Sequence, residues 1–367
     1  MTDETAREVI QSYPVKVPTV LDAGAWTPTP SQLQLLPQQV IRLYDDVTWE
    51  EFVLEWATAL EYEQVVRNGG ANDHGVDIAG FATRSGFDGP WDCYQCKHYV
   101  RPLTPTNAYP EMLKVMLAVM DGHFTWPRRY RFVAPQGCGT SLTGIIHSPS
   151  KLKAEFTTAL TKQGSVLARE LGERPMSLVL GFVERADFSI FGSLEAHEVI
   201  EQHSQTRWHA ARFGVPLPPR RAAHAPSDVP SGGEQRYIEK LLAAYRERHG
   251  HAFTHNDANA RPEVRVHYLR QRVAFYSAEA LGRFARDSVP EGTFSDLQEQ
   301  IFDGVIGVHD ETHEDGLRRL AEVDKTAKVL QITSNGLLPR VDVRDRTGIC
   351  HQLANDDRLT WCNADTQ

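Results

Sequence analysis

Three residues set out a piece of chemistry: Asp77 in Gly-Val-Asp-Ile (75–78), and Gln95 and Lys97 in Tyr-Gln-Cys-Lys (94–97). In an extended chain, alternate residues share a face. Asp77 then points away from the face that takes Val76 and Ile78. Gln95 and Lys97 share one face, and Tyr94, Cys96 and His98 share the other. Two neighbouring strands would thus bring a carboxylate, an amide and an ammonium to one small volume. Glycines 69, 70 and 75 shape the approach and would leave the Asp77 end open to a bulky substrate. This set suits metal-assisted phosphodiester hydrolysis. Asp77 would hold a hard cation, Mg2+ or alternatively Mn2+, which takes oxygen ligands and keeps waters. The cation polarises the phosphate and lowers the pKa of a bound water. Lys97 would orient that water or offset charge growing in the transition state. Gln95 and the carbonyl of Cys96 would complete the coordination, and the preceding helix offers Glu50, Glu51 and Glu55 as a second carboxylate.

The elements that must position these groups are legible as patterns. Trp49, Phe52, Val53, Trp56 and Leu60 recur at helical spacing, with Thr48 as the expected N-cap and Glu51 as its capping-box partner. Strand-like runs follow at 62–67, 75–81 and 91–99, then a helical run at 111–120 and strands at 130–134 and 178–183. Helix, hairpin, helix and strand make an α/β layer pattern. Further on, residues 237–248 open a mainly helical region. Leu269, Val273, Tyr276, Ala280, Leu281 and Phe284 form one apolar stripe. Phe294, Leu297, Ile301, Val305 and Ile306 form another; 328–333 reads as a strand and the stretch from Gly348 as a short helix.

The chain has 367 residues, 41% hydrophobic and 24% charged, a globular balance with length for two domains. Residues 1–40 are Pro-rich and aperiodic, an expected arm on the domain of residues 41–213. Residues 214–235, rich in Pro, Ala, Ser and Gly, read as a linker before a second domain of residues 236–367. No stretch approaches the ~18 apolar residues of a membrane span, the charged N-terminus is no signal peptide, and five scattered cysteines fit reduced cytosol. A cytoplasmic location is expected. The net charge is -9. Residues 1–213 hold 19 Lys and Arg against 25 Asp and Glu, and residues 234–367 hold 18 against 22. Phosphate neutralisation supplies most nucleic-acid affinity, so DNA contact would need a local patch or a partner. Lys97, His98, Arg101, Arg128, Arg129 and Arg131 offer such a patch, with Arg101, Arg128 and Arg129 as expected phosphate contacts that read no sequence.

Other constellations carry less. Cys93 and Cys96 fall on opposite faces of a strand, and a structural zinc site needs four ligands. Cys350-His351 with Cys362 is a thin set, and His309 and His313, though four apart, sit among solvated acids. Residues 137–141, Gly-Cys-Gly-Thr-Ser, lack the Gly-Lys-Ser/Thr of a phosphate loop, and no Gly-x-Ser-x-Gly is present for a serine hydrolase.

Residues 45–135 resemble the nuclease core of the PD-(D/E)xK superfamily, in its Mrr-like branch with Gln-x-Lys as second motif. Asp77 matches the first-motif aspartate, Gln95 and Lys97 the second motif, and Glu50 after Trp49 the acidic residue of the first helix. The run YRFVAPQGCG (130–139) also resembles the strand and turn of Cap4-type double-stranded DNA nucleases. Three later pieces, FYSAEALGRFARD (275–287), GTFSDLQEQIFDGV (292–305) and DRTGICHQLANDDRLTW (345–361), resemble the C-terminal domain of effectors in ABC three-component systems, which include the Lamassu antiphage defences. The resemblance implies a restriction-endonuclease-like first domain and a mostly α-helical assembly domain. It implies an Mg2+-dependent endonuclease acting on double-stranded DNA with little sequence specificity. Metal would sit on Asp77, Glu50, Gln95 and the Cys96 carbonyl, with Lys97 catalytic. Implied partners are an SMC-like ABC ATPase and a small middle subunit, with a dimer or tetramer when active. The alternative is a lapsed site in a DNA-docking or adaptor subunit of the same kind of complex.

Overall fold

A computed structural model describes residues 35–68 and 73–362; Gly69, Gly70 and most of the expected arm lie outside the described residues. The chain divides into two compact units, the first running to His209 and the second from Ala210.

The first unit is built on a five-stranded sheet in the order β1 to β5. Strands β1 (Gln64–Arg67), β2 (Ile78–Phe81) and β3 (Trp91–Cys96) run antiparallel, and β4 (Arg129–Val133) and β5 (Phe191–Leu194) run parallel to β3. The register sets Ile78 opposite Tyr94 and Ala79 opposite Cys93. Because side chains alternate, Tyr94 and Cys93 face opposite sides of the sheet.

Helix α1 (Asp46–Thr58) covers the Tyr94 side. Trp56 meets Tyr94 edge-on with ring centroids 4.9 Å apart, and Trp49 donates from Nε1 to the Val133 carbonyl at 3.1 Å. Its N-cap is Asp45, whose carboxylate accepts from the Thr48 N–H at 2.7 Å, so the cap lies three residues before the Thr48 expected from sequence. Aspartate caps a helix at least as well as threonine, so the capping-box pattern at Thr48 and Glu51 did not decide the start. Helix α2 (Pro105–Met120) crosses from β3 to β4 and buries Met112, Leu113, Val115 and Met116 in one core with Ala79, Cys93 and Tyr130. Its start is well specified, with Pro at the first turn and a Thr104–Asn107 capping box.

Beyond β4 the unit adds α3 (Pro149–Thr161), α4 (Met176–Arg185) and α5 (Ala196–His203). Residues 178–183, expected as a strand, lie within α4, where Val179 and Val183 are buried four positions apart on one helical face. A short apolar run does not separate the two structures by itself.

The second unit is helical: α6 (Gln235–His249), α7 (Pro262–Ser288), α8 (Thr293–Asp310), α9 (Gly316–Val329) and α10 (Val343–Asn355). Residues 328–333 do not form the expected strand; α9 ends at Val329 and the chain continues without regular structure. Helices α7 and α10 meet at Gly348, where a Cβ would collide with the Ala274 carbonyl oxygen. The stretch read as a linker is laid onto this unit. Leu217 is buried in its core, Arg220 Nη2 pairs with Asp345 Oδ1 at 2.9 Å, and Glu234 forms a fully buried pair with Arg272 at 2.8 Å. Low apolar content hid these two polar anchors. Among the described residues no helix is long and apolar enough to cross a membrane.

Candidate active site

The C-terminal end of β3 gathers the groups that the sequence singled out. Asp77 lies one residue before β2, opposite Gln95. Its Oδ2 accepts from Gln95 Nε2 at 2.6 Å and from the Cys96 backbone N–H at 2.7 Å. The expected role of Cys96 ran through its carbonyl; the contact seen uses its N–H, and its buried thiol lies on the other face. The same Gln95 Nε2 stands 3.5 Å from Glu111 Oε2, and Glu111 Oε1 is 3.3 Å from Lys97 Nζ. Lys114, one turn along α2, approaches the same Glu111 oxygen at 3.2 Å. A carboxamide therefore bridges two carboxylates, and two ammonium groups rest on the second.

The electrostatics follow from burial. Asp77 is 4% exposed. Desolvation raises its pKa to about 7, with the charges of Glu50 and Asp73 adding to the rise and Lys97 and the Cys96 N–H opposing it. For Lys97, burial disfavours the ammonium, but Asp77 and Glu111 outweigh it and hold the pKa above an ordinary lysine's. Lys97 is therefore a standing positive charge.

The three candidate glutamates of α1 separate. Glu50 acts on Asp77 through its charge and is itself clamped by Arg67, at 2.9 Å from Nε and 2.7 Å from Nη2. Glu55 is buried and pairs with His203 of α5 at 2.9 Å, which binds it into the helix packing. Glu51 is partly exposed.

The expected basic patch is not assembled at this end. Arg128 donates twice to the buried Asp92, at 3.0 and 2.8 Å, and Tyr62 donates to the same carboxylate at 2.7 Å. Arg129 sits opposite Asp92, whereas Cys96 sits opposite Val133. Four residues at ~3.3 Å each put Arg129 ~13 Å from the Lys97 end. Arg131 is spent on the Ile190 carbonyl, and His98 on that of Ile41 at 2.9 Å. Arg101 is exposed in the loop after β3.

Sequence reasoning missed Glu111, Lys114, Arg67 and Tyr130. Tyr130 Oη lies 2.7 Å from the Gly75 carbonyl and 3.2 Å from Gln95 Oε1. No local signal marks Glu111: it is the passage of α2 across the sheet between the parallel strands β3 and β4 that brings it here. Gly75 is what lets it lie so close. At φ +77°, a Cβ there would stand 2.9 Å from the Glu111 carbonyl oxygen, so this glycine admits α2 rather than opening the hairpin to substrate.

Among the described residues no group of three or more His, Cys, Asp or Glu is gathered to hold a metal. His309 bonds the Thr360 carbonyl and His313 that of Val308; Cys350 donates to the Arg346 carbonyl. The donor set at Asp77 nevertheless fits a hard cation by its chemistry: two carboxylates and an amide, with one carboxyl left far from its ordinary pKa by burial. Mg2+ is usually held by one or two carboxylates together with waters and substrate phosphates, not by an all-protein cage.

Residues 234–361 match the family model described as C-terminal domain 6 of the ABC-three component (ABC-3C) systems. No curated protein and no solved structure matches the chain. The match covers most of the second unit and supports membership of such a multi-component system.

Proposed function

We propose that the first unit is a metal-dependent endonuclease of double-stranded DNA with a restriction-endonuclease-like fold. The whole chain is then the nuclease effector of an antiphage ABC three-component system of the Lamassu kind. The observation that carries this reading is the convergence of Asp77, Gln95, Lys97 and Glu111 at one end of β3. Three strands in meander, a crossing helix and a parallel fourth strand support the fold. Asp77 and Glu111 would hold Mg2+ or Mn2+, with Glu50 beside them. When bound, the cation supplies Lewis-acid polarisation of the phosphate and a water of lowered pKa. Asp77 ionises only near neutrality, so loading the site releases a proton. Lys97 keeps its proton and offers a fixed positive charge to the pentavalent phosphate. Being already protonated, it is no general base, and the proton of the attacking water passes to solvent or a carboxylate.

The second unit would dock the chain on an SMC-like ABC ATPase and a small middle subunit. A dimer or tetramer would be the cutting form, because a duplex needs two sites. One arrangement favours a second reading, the lapsed adaptor: Lys97 is occupied by Glu111, and Arg128 by Asp92.

The test is plasmid cleavage with Mg2+ or Mn2+, by the chain alone and with its partner subunits. Cutting by the wild type is expected to fall by ~10^2–10^3-fold in Asp77→Ala and Lys97→Ala, both checked for folding, as loss of one transition-state charge contact costs that much. Cutting that survives in both variants would remove the site assignment. Absence of cutting in every complex would favour the adaptor.

A further inference from the structure

A carboxamide can be turned over without moving its heavy atoms, because its oxygen and nitrogen exchange places. Gln95 and Tyr130 are both fully buried, so each orientation must be satisfied by protein groups. As it stands, Gln95 Nε2 faces Asp77 at 2.6 Å and Glu111 at 3.5 Å. At the other end, Oε1 faces Tyr130 Oη at 3.2 Å, while that hydroxyl lies 2.7 Å from the Gly75 carbonyl. A phenol has one proton. Both neighbours are carbonyl oxygens that can only accept, so the single proton is shared unequally: the shorter contact to Gly75 takes most of it, and Gln95 Oε1 keeps the longer, weaker one. With the amide turned, Nε2 donates to Tyr130 Oη and Tyr130 donates to Gly75, so that end is fully satisfied. The opposite end then sets an amide oxygen against two carboxylates, which, once both are ionised, is favourable only with a cation among them.

We propose that Gln95 is a cation-dependent amide switch and that Glu111 is its second carboxylate. Without a divalent cation its NH2 bridges Asp77 and Glu111. With one, Oε1 joins the two carboxylates as an oxygen donor and Nε2 donates to Tyr130. Glu111, reaching over from α2, then supplies the carboxylate that a Gln-x-Lys strand lacks, and Lys114 holds it so that Lys97 is not its sole counter-charge. The inference rests on the nuclease reading only for the kind of ion.

The experiment is calorimetric titration of Mg2+ and Mn2+ into the full chain and into Glu111→Gln, Gln95→Glu/Glu111→Gln and Tyr130→Phe, each checked by circular dichroism. Glu111→Gln is expected to weaken binding by ~10-fold or more, as loss of a carboxylate ligand should. The double variant recovers to within ~3-fold of wild type, because the carboxylate has only moved from helix to strand. Tyr130→Phe, which removes the acceptor for the turned amide, weakens binding several-fold. By NMR, the Gln95 NH2 pair, assigned by its absence in Gln95→Glu, shifts on adding Mg2+ to wild type and stays put in Asp77→Asn. Wild-type affinity in Glu111→Gln, no cation binding by the wild type, or an unmoved NH2 signal at saturation would each overturn the proposal. The two readings fail separately. Cation binding with these dependences but no cleavage in any complex sinks the nuclease and keeps the switch. Cleavage that needs Asp77, with cation affinity indifferent to Glu111, sinks the switch and keeps the nuclease.

Discussion

At the scale of single residues, Asp77 carries the cost of the site. Its folded pKa of about 7 lies well above the ordinary aspartate value. Such a group adds stability that is fully present below ~4, and that stability is lost as pH rises, completely so above ~7. Asp77→Asn, which never ionises, is therefore expected to stabilise the cation-free protein at pH 8 by ~2–4 kcal/mol and by less at pH 5. Urea denaturation at the two pH values measures it; equal gains at both would contradict the raised pKa. The same sign makes cation affinity fall as pH drops through about 7, since the ligand must first lose its proton. Arg128 makes the opposite case. Its guanidinium serves the buried Asp92 carboxylate, so Arg128→Ala is expected to cost ~1–3 kcal/mol of stability and to leave DNA affinity nearly unchanged. Arg129→Ala, at an exposed strand start, is expected within ~0.5 kcal/mol of wild type in stability. Denaturation and a DNA-binding isotherm on both variants decide the matter.

At the scale of elements, two glycines set the distances on which function and fold depend. Gly75 combines a positive φ with close contact to the α2 backbone, so Gly75→Ala is expected to cost ~2–4 kcal/mol and to push Glu111 away from Gln95. Gly348→Ala drives a methyl into the backbone of α7 and is expected to melt the second unit several degrees earlier. Scanning calorimetry reads both. The strand alternation around Asp77, Gln95 and Lys97 was legible because period two survives in a single strand and its neighbour. The stripe through Leu297, Ile301 and Val305 was legible for the same local reason, whereas the buried face of α7 runs through Tyr268, Phe275, Ala278 and Leu281 and leaves Leu269, Val273 and Tyr276 only partly covered. Glu111 was not, because only the crossing of α2 over the sheet brings it within reach. The pairing of Arg128 with Asp92 was not legible either, because a charge partner 36 residues away in sequence leaves no local trace. The run at 178–183 misled because so short an apolar stretch fits either period.

At the scale of the whole molecule, the net charge of -9 and the dispersal of Arg128, Arg129 and Arg131 leave little cationic surface at the Asp77 end. The isolated chain is therefore expected to bind duplex DNA no more tightly than ~1 µM at physiological salt, and tighter binding is expected only in complex with its partners. Fluorescence anisotropy over a salt series measures this; nanomolar affinity by the chain alone would contradict it. The five free cysteines lead elsewhere. Cys93 and Cys96 are sealed in the first unit, Cys350 and Cys362 in the second, and burial pushes all four thiols up. Only the thiolate attacks a labelling reagent, so these four sulfurs stay silent while their own core is closed. Timed alkylation followed by peptide mass mapping would therefore clock the opening of each unit separately within one intact chain. A variant such as Gly348→Ala should speed the modification of Cys350 and leave that of Cys93 at its native pace.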